Sequence, residues 1–141
     1  MSGTGGQPAA AGGGTLERGG LSRIGQIAIN VEDVARATHF YREVLGMRHL
    51  FDAPGLAFFD CGGVRLMLGR AERAEFDHPA SVVYYRAEDI DGLRAELTRR
   101  GAEFIDEPHV IHRTAQQELW MSFLRDSEGN LLALMEERSV T

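Results

Sequence analysis

The chain has 141 residues, 43% of them apolar, which suits one domain with a packed interior and excludes a disordered polymer. Its net charge of −6 argues against nucleic acid as a partner, because neutralising phosphates takes a basic face. All 15 basic residues are arginine, so lysine Schiff-base chemistry is excluded, while planar recognition of carboxylate or phosphate is well supplied.

Residues 1–20 hold eight glycines and few large side chains. Residues 1–21 are expected to form a disordered tail without the apolar core of a signal peptide. Gln26 to Val31 alternates as a strand does, with Ile27, Ile29 and Val31 on one face and Gln26, Ala28 and Asn30 on the other. Asp33 is a suitable N-cap for a helix carrying Val34, Ala37, Tyr41 and Val44 on one side and closing at Gly46. Met47 to Phe51 supplies a strand, and Leu56–Asp60 with Val64–Leu68 form a hairpin around Cys61-Gly62-Gly63. Cys61 is the one cysteine, so no internal disulfide forms and a reducing, cytoplasmic setting is expected. No apolar run reaches the roughly 18 residues that would mark a membrane span.

Arg70 to Pro79 is polar and reads as a linker. Beyond it, Val82–Ala87 is predicted as a strand, Asp89 caps a helix buried through Ile90, Leu93 and Leu97, and Gly101 ends it. Ala102–Asp106 is a short strand, Glu107–Glu118 a long polar loop, and Leu119–Arg125 with Asn130–Met135 a hairpin around Asp126-Ser127-Glu128-Gly129.

The second half therefore repeats the first. Asp33 and Asp89 stand 56 residues apart, Gly46 and Gly101 55 apart, and Gly63 and Gly129 66 apart. The expectation is an α+β domain over residues 22–137, made of two tandem β-α-β-β-β modules, about 22–70 and 80–137. A helix covers one face of each small sheet. The opposite faces, mixed polar and apolar, are expected to form a curved mixed sheet around a central cleft that takes a small molecule.

By strand phase, Tyr84 faces that cleft while Tyr85 packs under the helix. Gln26 and Asn30 are hydrogen-bonding groups of the pocket. Arg65 and Arg86 fall on the same inward faces, where they recognise an anion or, as strand-end residues, reach water and pair with Glu88 or Glu118. Trp120 is either a stacking platform in the pocket or a core ring. His109 and His112 lie in Pro108–Arg113: an extended segment points them to opposite faces, whereas a turn lets them share an ion. His109 alone, with Tyr84, is a candidate acid–base pair. His39, His49 and His78 read as surface residues.

The stretch Phe40-Tyr41-Arg42-Glu43-Val44-Leu45-Gly46-Met47 and the turn Asp126-Ser127-Glu128-Gly129-Asn130 resemble the helix end and hairpin turn of the vicinal oxygen chelate superfamily, with Ser127 where proline is usual. That superfamily includes glyoxalase I, bleomycin-resistance proteins and extradiol dioxygenases. The resemblance covers about residues 22–137 and implies the fold more specifically than any reaction. Metal-dependent members carry one ligand on the first and one on the last strand of each module. Carried over, those positions are Gln26, Met67, Val82 and Ala133. Only Gln26 offers oxygen, so the resemblance implies no resident metal and no other cofactor. The expected function is binding or transformation of a small organic compound, aromatic or anionic, with Gln26, Asn30, Met67, Val82, Tyr84, Arg86, Trp120 and Ala133 lining the pocket. The alternative is a metal-dependent glyoxalase-type lyase or isomerase using Gln26, His109 and His112 with a divalent ion. A structural or interaction module is the third reading. The resemblance also implies a homodimer.

Overall fold

The computed structural model describes residues 19–71 and 77–140. Most of the glycine-rich tail, residues 1–18, and the middle of the linker, 72–76, lie outside them, as does residue 141.

In the first module β1 (Gln26–Asn30) leads to α1 (Val34–His39), a wider helical turn (Phe40–Val44), β2 (Arg48–Ala53), β3 (Leu56–Cys61) and β4 (Val64–Gly69). Asp33 caps α1 as its position predicts, accepting the N–H of Arg36 at 3.0 Å. The helix does not run uniformly to Gly46. Leu45 N–H reaches back to the carbonyl of Phe40, five residues away, so the last turn is π-type. The widened turn sends Tyr41 into the first core and Val44 into the second.

The second module repeats the order with β5 (Val83–Arg86), α2 (Ile90–Arg99), β6 (Glu103–Phe104), β7 (His109–Arg113), β8 (Gln117–Arg125) and β9 (Leu131–Ser139). Asp89 caps α2 through the N–H of Gly92 at 3.1 Å. A further departure from the sequence reading is β7, which occupies five residues of the stretch expected as a loop. Its residues pair antiparallel with β8, and β6 pairs with the same edge farther along. Together β6 and β7 take the place beside β8 that β2 holds beside β3. Strand β8 is nine residues long and leaves an open edge, and Val110-Ile111 supplies the β-branched residues to close it.

Two mixed sheets result. The first has the order β1-β4-β3-β2 and the second β5-β9-β8-β6, with β7 also on β8. In each, the module's first strand lies parallel to its last and the remaining contacts are antiparallel. The helix of each module covers one face. Ile29, Tyr41, Phe59, Leu66 and Leu68 fill the first core; Ile90, Leu97, Leu124, Leu132 and Leu134 fill the second. Phe40 and Leu45 pack against both, so the cores are continuous through the end of the first helix. Among the described residues no helix is long and apolar enough to cross a membrane.

Candidate functional site

The uncovered face of the first sheet carries the second residue of each alternating pair. Register places Gln26 beside Arg65, Ala28 beside Met67, and Phe58 across from Met67. Arg65 Nε donates to Gln26 Oε1 at 2.9 Å. The amide nitrogen of Gln26 turns the other way, 3.7 Å from Met67 Sδ. The Arg65 guanidinium lies over the Phe58 ring, 5.3 Å from its centre, and Phe51 stacks on Phe58 at 4.5 Å. The floor is thus one connected patch: an aromatic pair, a guanidinium, an amide and a thioether.

Beside this patch a hollow of ≈ 530 Å³ opens over Ala28, Asn30 and Met67, with Ala80, Ser81 and His78 along its rim. A second, more polar hollow of ≈ 690 Å³ shares Asn30 and His78 and runs on to Glu32, Glu128 and Asn130. Asn30 is held between modules: its side chain donates to the His78 carbonyl at 3.1 Å, and its carbonyl accepts from Asn130 Nδ2 at 3.1 Å.

The uncovered face of the second sheet carries Tyr84, Arg86, Ala133, Phe123, Met121 and Met135 by register. Tyr84 is 45% exposed and meets Phe123 edge-on at 6.1 Å. Arg86 pairs with Glu137 at 3.2 Å, so its charge is matched within its own sheet, by neither of the glutamates expected from sequence. Ala133 is fully buried between Tyr84 and Phe123 in register, and Val82 precedes β5 half-buried. Trp120 takes the core side: its ring packs on the second core, its N–H donates to Glu118, and Arg138 covers it at 4.3 Å. It is a core ring and no wall of the cleft.

The two histidines correct an assumption about phase. In a regular strand His109 and His112 would face opposite ways. A bulge between Val110 and His112 inserts one extra residue, so His109 lies opposite Met121 and His112 opposite Leu119. Those partners are two apart on β8, which puts both imidazoles on one face. His109 Nδ1 is 2.8 Å from the Glu107 carbonyl oxygen and 3.8 Å from an Asp106 carboxylate oxygen. Tyr84 and His109 share the uncovered face but stand three strands apart, on the order of 15 Å from the strand spacing. Cys61 is a weak nucleophile, since burial and the Asp60 carboxylate both push its thiol up.

Sequence reasoning missed Phe58 and Phe51. The signal was present, because Leu56, Phe58 and Asp60 alternate onto the face that carries Met67 and Arg65 once the hairpin closes. The rim residue His78 falls in the stretch that reads as a linker, and Ala80 at the start of the second module, where neither leaves a periodic trace.

A sequence profile described as the Glyoxalase/Bleomycin resistance protein/Dioxygenase superfamily matches residues 23–134, and the chain belongs to that family. It is 26% identical over 126 residues to the uncharacterised protein YetH of Bacillus subtilis (strain 168), covering 82% of this chain and 99% of that one. Among solved structures it is similar to TnmS3, an antibiotic binding protein from Streptomyces sp. CB03234, with 25% identity, TM-score 0.67, and coverage of 84% and 98% of the two chains. A lactoylglutathione lyase from Agrobacterium tumefaciens shares the fold at 22% identity and TM-score 0.66, with 83% and 95% covered.

Proposed function

We propose that this chain binds a small organic molecule in the hollow on the first sheet, and does so without the divalent metal of the metal-dependent members of its superfamily. The observation that carries the reading is the 2.9 Å hydrogen bond from Arg65 to Gln26 Oε1. Of Gln26, Met67, Val82 and Ala133, only Gln26 bears an oxygen, and that oxygen faces a guanidinium. A divalent cation there would sit against a fixed positive charge, with one amide and one thioether for company. The donor set does not fit such an ion. The apolar floor and the half-polar rim suit an organic ligand. The similarity to a protein described as antibiotic-binding supports the same reading.

Binding is favoured over joint acid–base chemistry, because Tyr84 and His109 are too far apart to act on one small bond. A homodimer in a reducing, cytoplasmic setting belongs to the proposal: Cys61 is a free thiol, and Phe51, Tyr84 and Ile111 remain exposed apolar groups. A second reading, metal-dependent lyase or isomerase chemistry, has one observation in its favour, the bulge that turns His109 and His112 to a common face.

The test is elemental analysis of the purified protein together with thermal-shift screening against aromatic and amphipathic compounds, with and without EDTA. The expected result is stabilisation by a subset of compounds that EDTA leaves unchanged and that Met67→Glu abolishes. A stoichiometric metal lost on Gln26→Ala or His109→Ala, with ligand binding lost alongside, overturns the proposal in favour of the second reading. No shift with any compound returns the chain to an interaction module.

A further inference from the structure

Most of the arginines that the structure describes have acidic partners. Arg36 meets Glu128, Arg86 meets Glu137, Arg94 meets Glu107, Arg113 meets Glu118, and Arg138 meets both Glu136 and Asp91. Arg65 differs. Among the described residues no carboxylate lies within ion-pairing distance of it, although Asp60 is its cross-strand neighbour in register. Its contacts are the neutral oxygen of Gln26 through Nε and the face of Phe58. Both contacts orient the guanidinium, and neither neutralises it. The Nε bond leaves both terminal nitrogens without a hydrogen-bond partner among the described residues.

Two residues farther along β4, about 7 Å at strand spacing, Met67 forms the apolar floor of the ≈ 530 Å³ hollow. A ligand lying on that floor, with its body over Ala28 and Met67, reaches Arg65 with one end. Phe58 and Phe51 continue the apolar surface under it. No lysine exists in the chain to add a second mobile charge. Arg70 lines the far end of the hollow, just past the end of β4, whereas Arg65 stands beyond the lining on the Phe58 side of the same floor. A carboxylate at that end meets one planar guanidinium, which matches its geometry.

We propose that Arg65, held by Gln26 and Phe58, is the anion-recognition group of this pocket, and that the ligand class is an aromatic carboxylate of one or two rings. This rests on the small-molecule reading given above and names the chemistry of that same site. Gln26 is then a positioning residue: it aims the guanidinium and leaves its charge intact.

The test uses the full chain and two matched probes, 2-naphthoate and 2-naphthamide, titrated by calorimetry and followed through the methyl resonance of Met67. The expected result is tighter binding of naphthoate by about tenfold or more, with Met67 shifting in both titrations. Arg65→Gln should erase the preference. Gln26→Glu is the second variant. It keeps the size of residue 26 but pairs the guanidinium with a carboxylate, and should erase the preference with Arg65 still present. Equal affinity for the two probes, or a preference that survives either substitution, overturns the inference while the small-molecule reading stands. Binding of neither probe overturns the inference as well; if the wider compound screen is also silent, the reading beneath it falls too.

Discussion

Tyr41 and Tyr85 are two buried phenols with opposite circumstances. Tyr41 is fully buried in the first core and donates to Asp126 Oδ2 at 2.8 Å across the module boundary. Burial first, then the Asp126 carboxylate, push its phenol far above the ordinary range, so it stays protonated and acts as a donor only. Tyr85 lies under the second helix layer, as its strand phase predicts, and its hydroxyl is buried without a partner among the described residues. The consequence is a pair of conservative changes with opposite sign. Tyr41→Phe leaves Asp126 short of a donor and should cost about 1–2 kcal/mol. Tyr85→Phe removes an unmatched hydroxyl and should be neutral or stabilising by up to about 1 kcal/mol. Urea midpoints of the two variants measured side by side check this; a Tyr85→Phe loss as large as that of Tyr41→Phe would contradict it.

At the scale of elements, the helix end of the first module shows how a local feature sets a distant contact. The π turn at Phe40–Val44 closes on Gly46 at φ +72°, a left-handed conformation. A Cβ added at Gly46 would come within 2.9 Å of Arg100 Nη1, the group that donates to the Val44 carbonyl at 3.3 Å. Gly46→Ala should therefore cost about 1–2 kcal/mol, mainly from backbone strain, since the arginine tip moves easily. Its unfolding midpoint would show this, and Gly25→Ala, at an open position, serves as the neutral reference. Strand β7 teaches a different lesson. Pro108 to Glu118 has no clean alternation, because the bulge at Ile111 breaks its period and turns His112 onto the face of His109. Periodicity reads a strand only while the ladder is regular. The free edge of β8 paired this segment, and no local signal announces a free edge.

For the whole molecule, the question is what joins two modules that each carry a sheet and a helix. Phe40 and Leu45 supply the apolar part. The polar part is Glu128, in the hairpin turn of the second module, with a side chain only 1% exposed. Its carboxylate accepts the N–H groups of Glu32 and Asp33 at 3.1 and 3.0 Å, and Arg36 at 2.7 and 2.9 Å. The Arg36 hydrogen bond first, then those backbone donors, outweigh burial and hold its pKa at about 2, below the ordinary 4.5. A carboxylate depressed on folding contributes its stability above the unfolded value and loses it as pH falls through the folded one. Stability should thus decline from about pH 4.5 to about pH 2, by up to about 3 kcal/mol from this group. Glu128→Gln should be less stable at neutral pH and should lack that part of the acid decline. Chemical denaturation at pH 6, 4 and 3 distinguishes the two, and parallel pH profiles for both proteins would contradict the assignment.

The duplicated order of elements, the helix caps at Asp33 and Asp89, the closing glycines and the family were all legible from the chain alone. Each depends on short-range geometry or on a repeat visible as equal spacing. So was the shared sheet face of Gln26, Ala28 and Arg65, which follows from strand alternation. What only the tertiary structure decided is which of these residues meet. Arg65 and Gln26 are 39 positions apart, and Arg36 and Glu128 are 92 apart. Three other arginines, Arg86, Arg113 and Arg138, found carboxylates in their own sheet. The register between strands, and the docking of one module on the other, choose such partners, and both are set by long-range packing that leaves no trace in local sequence.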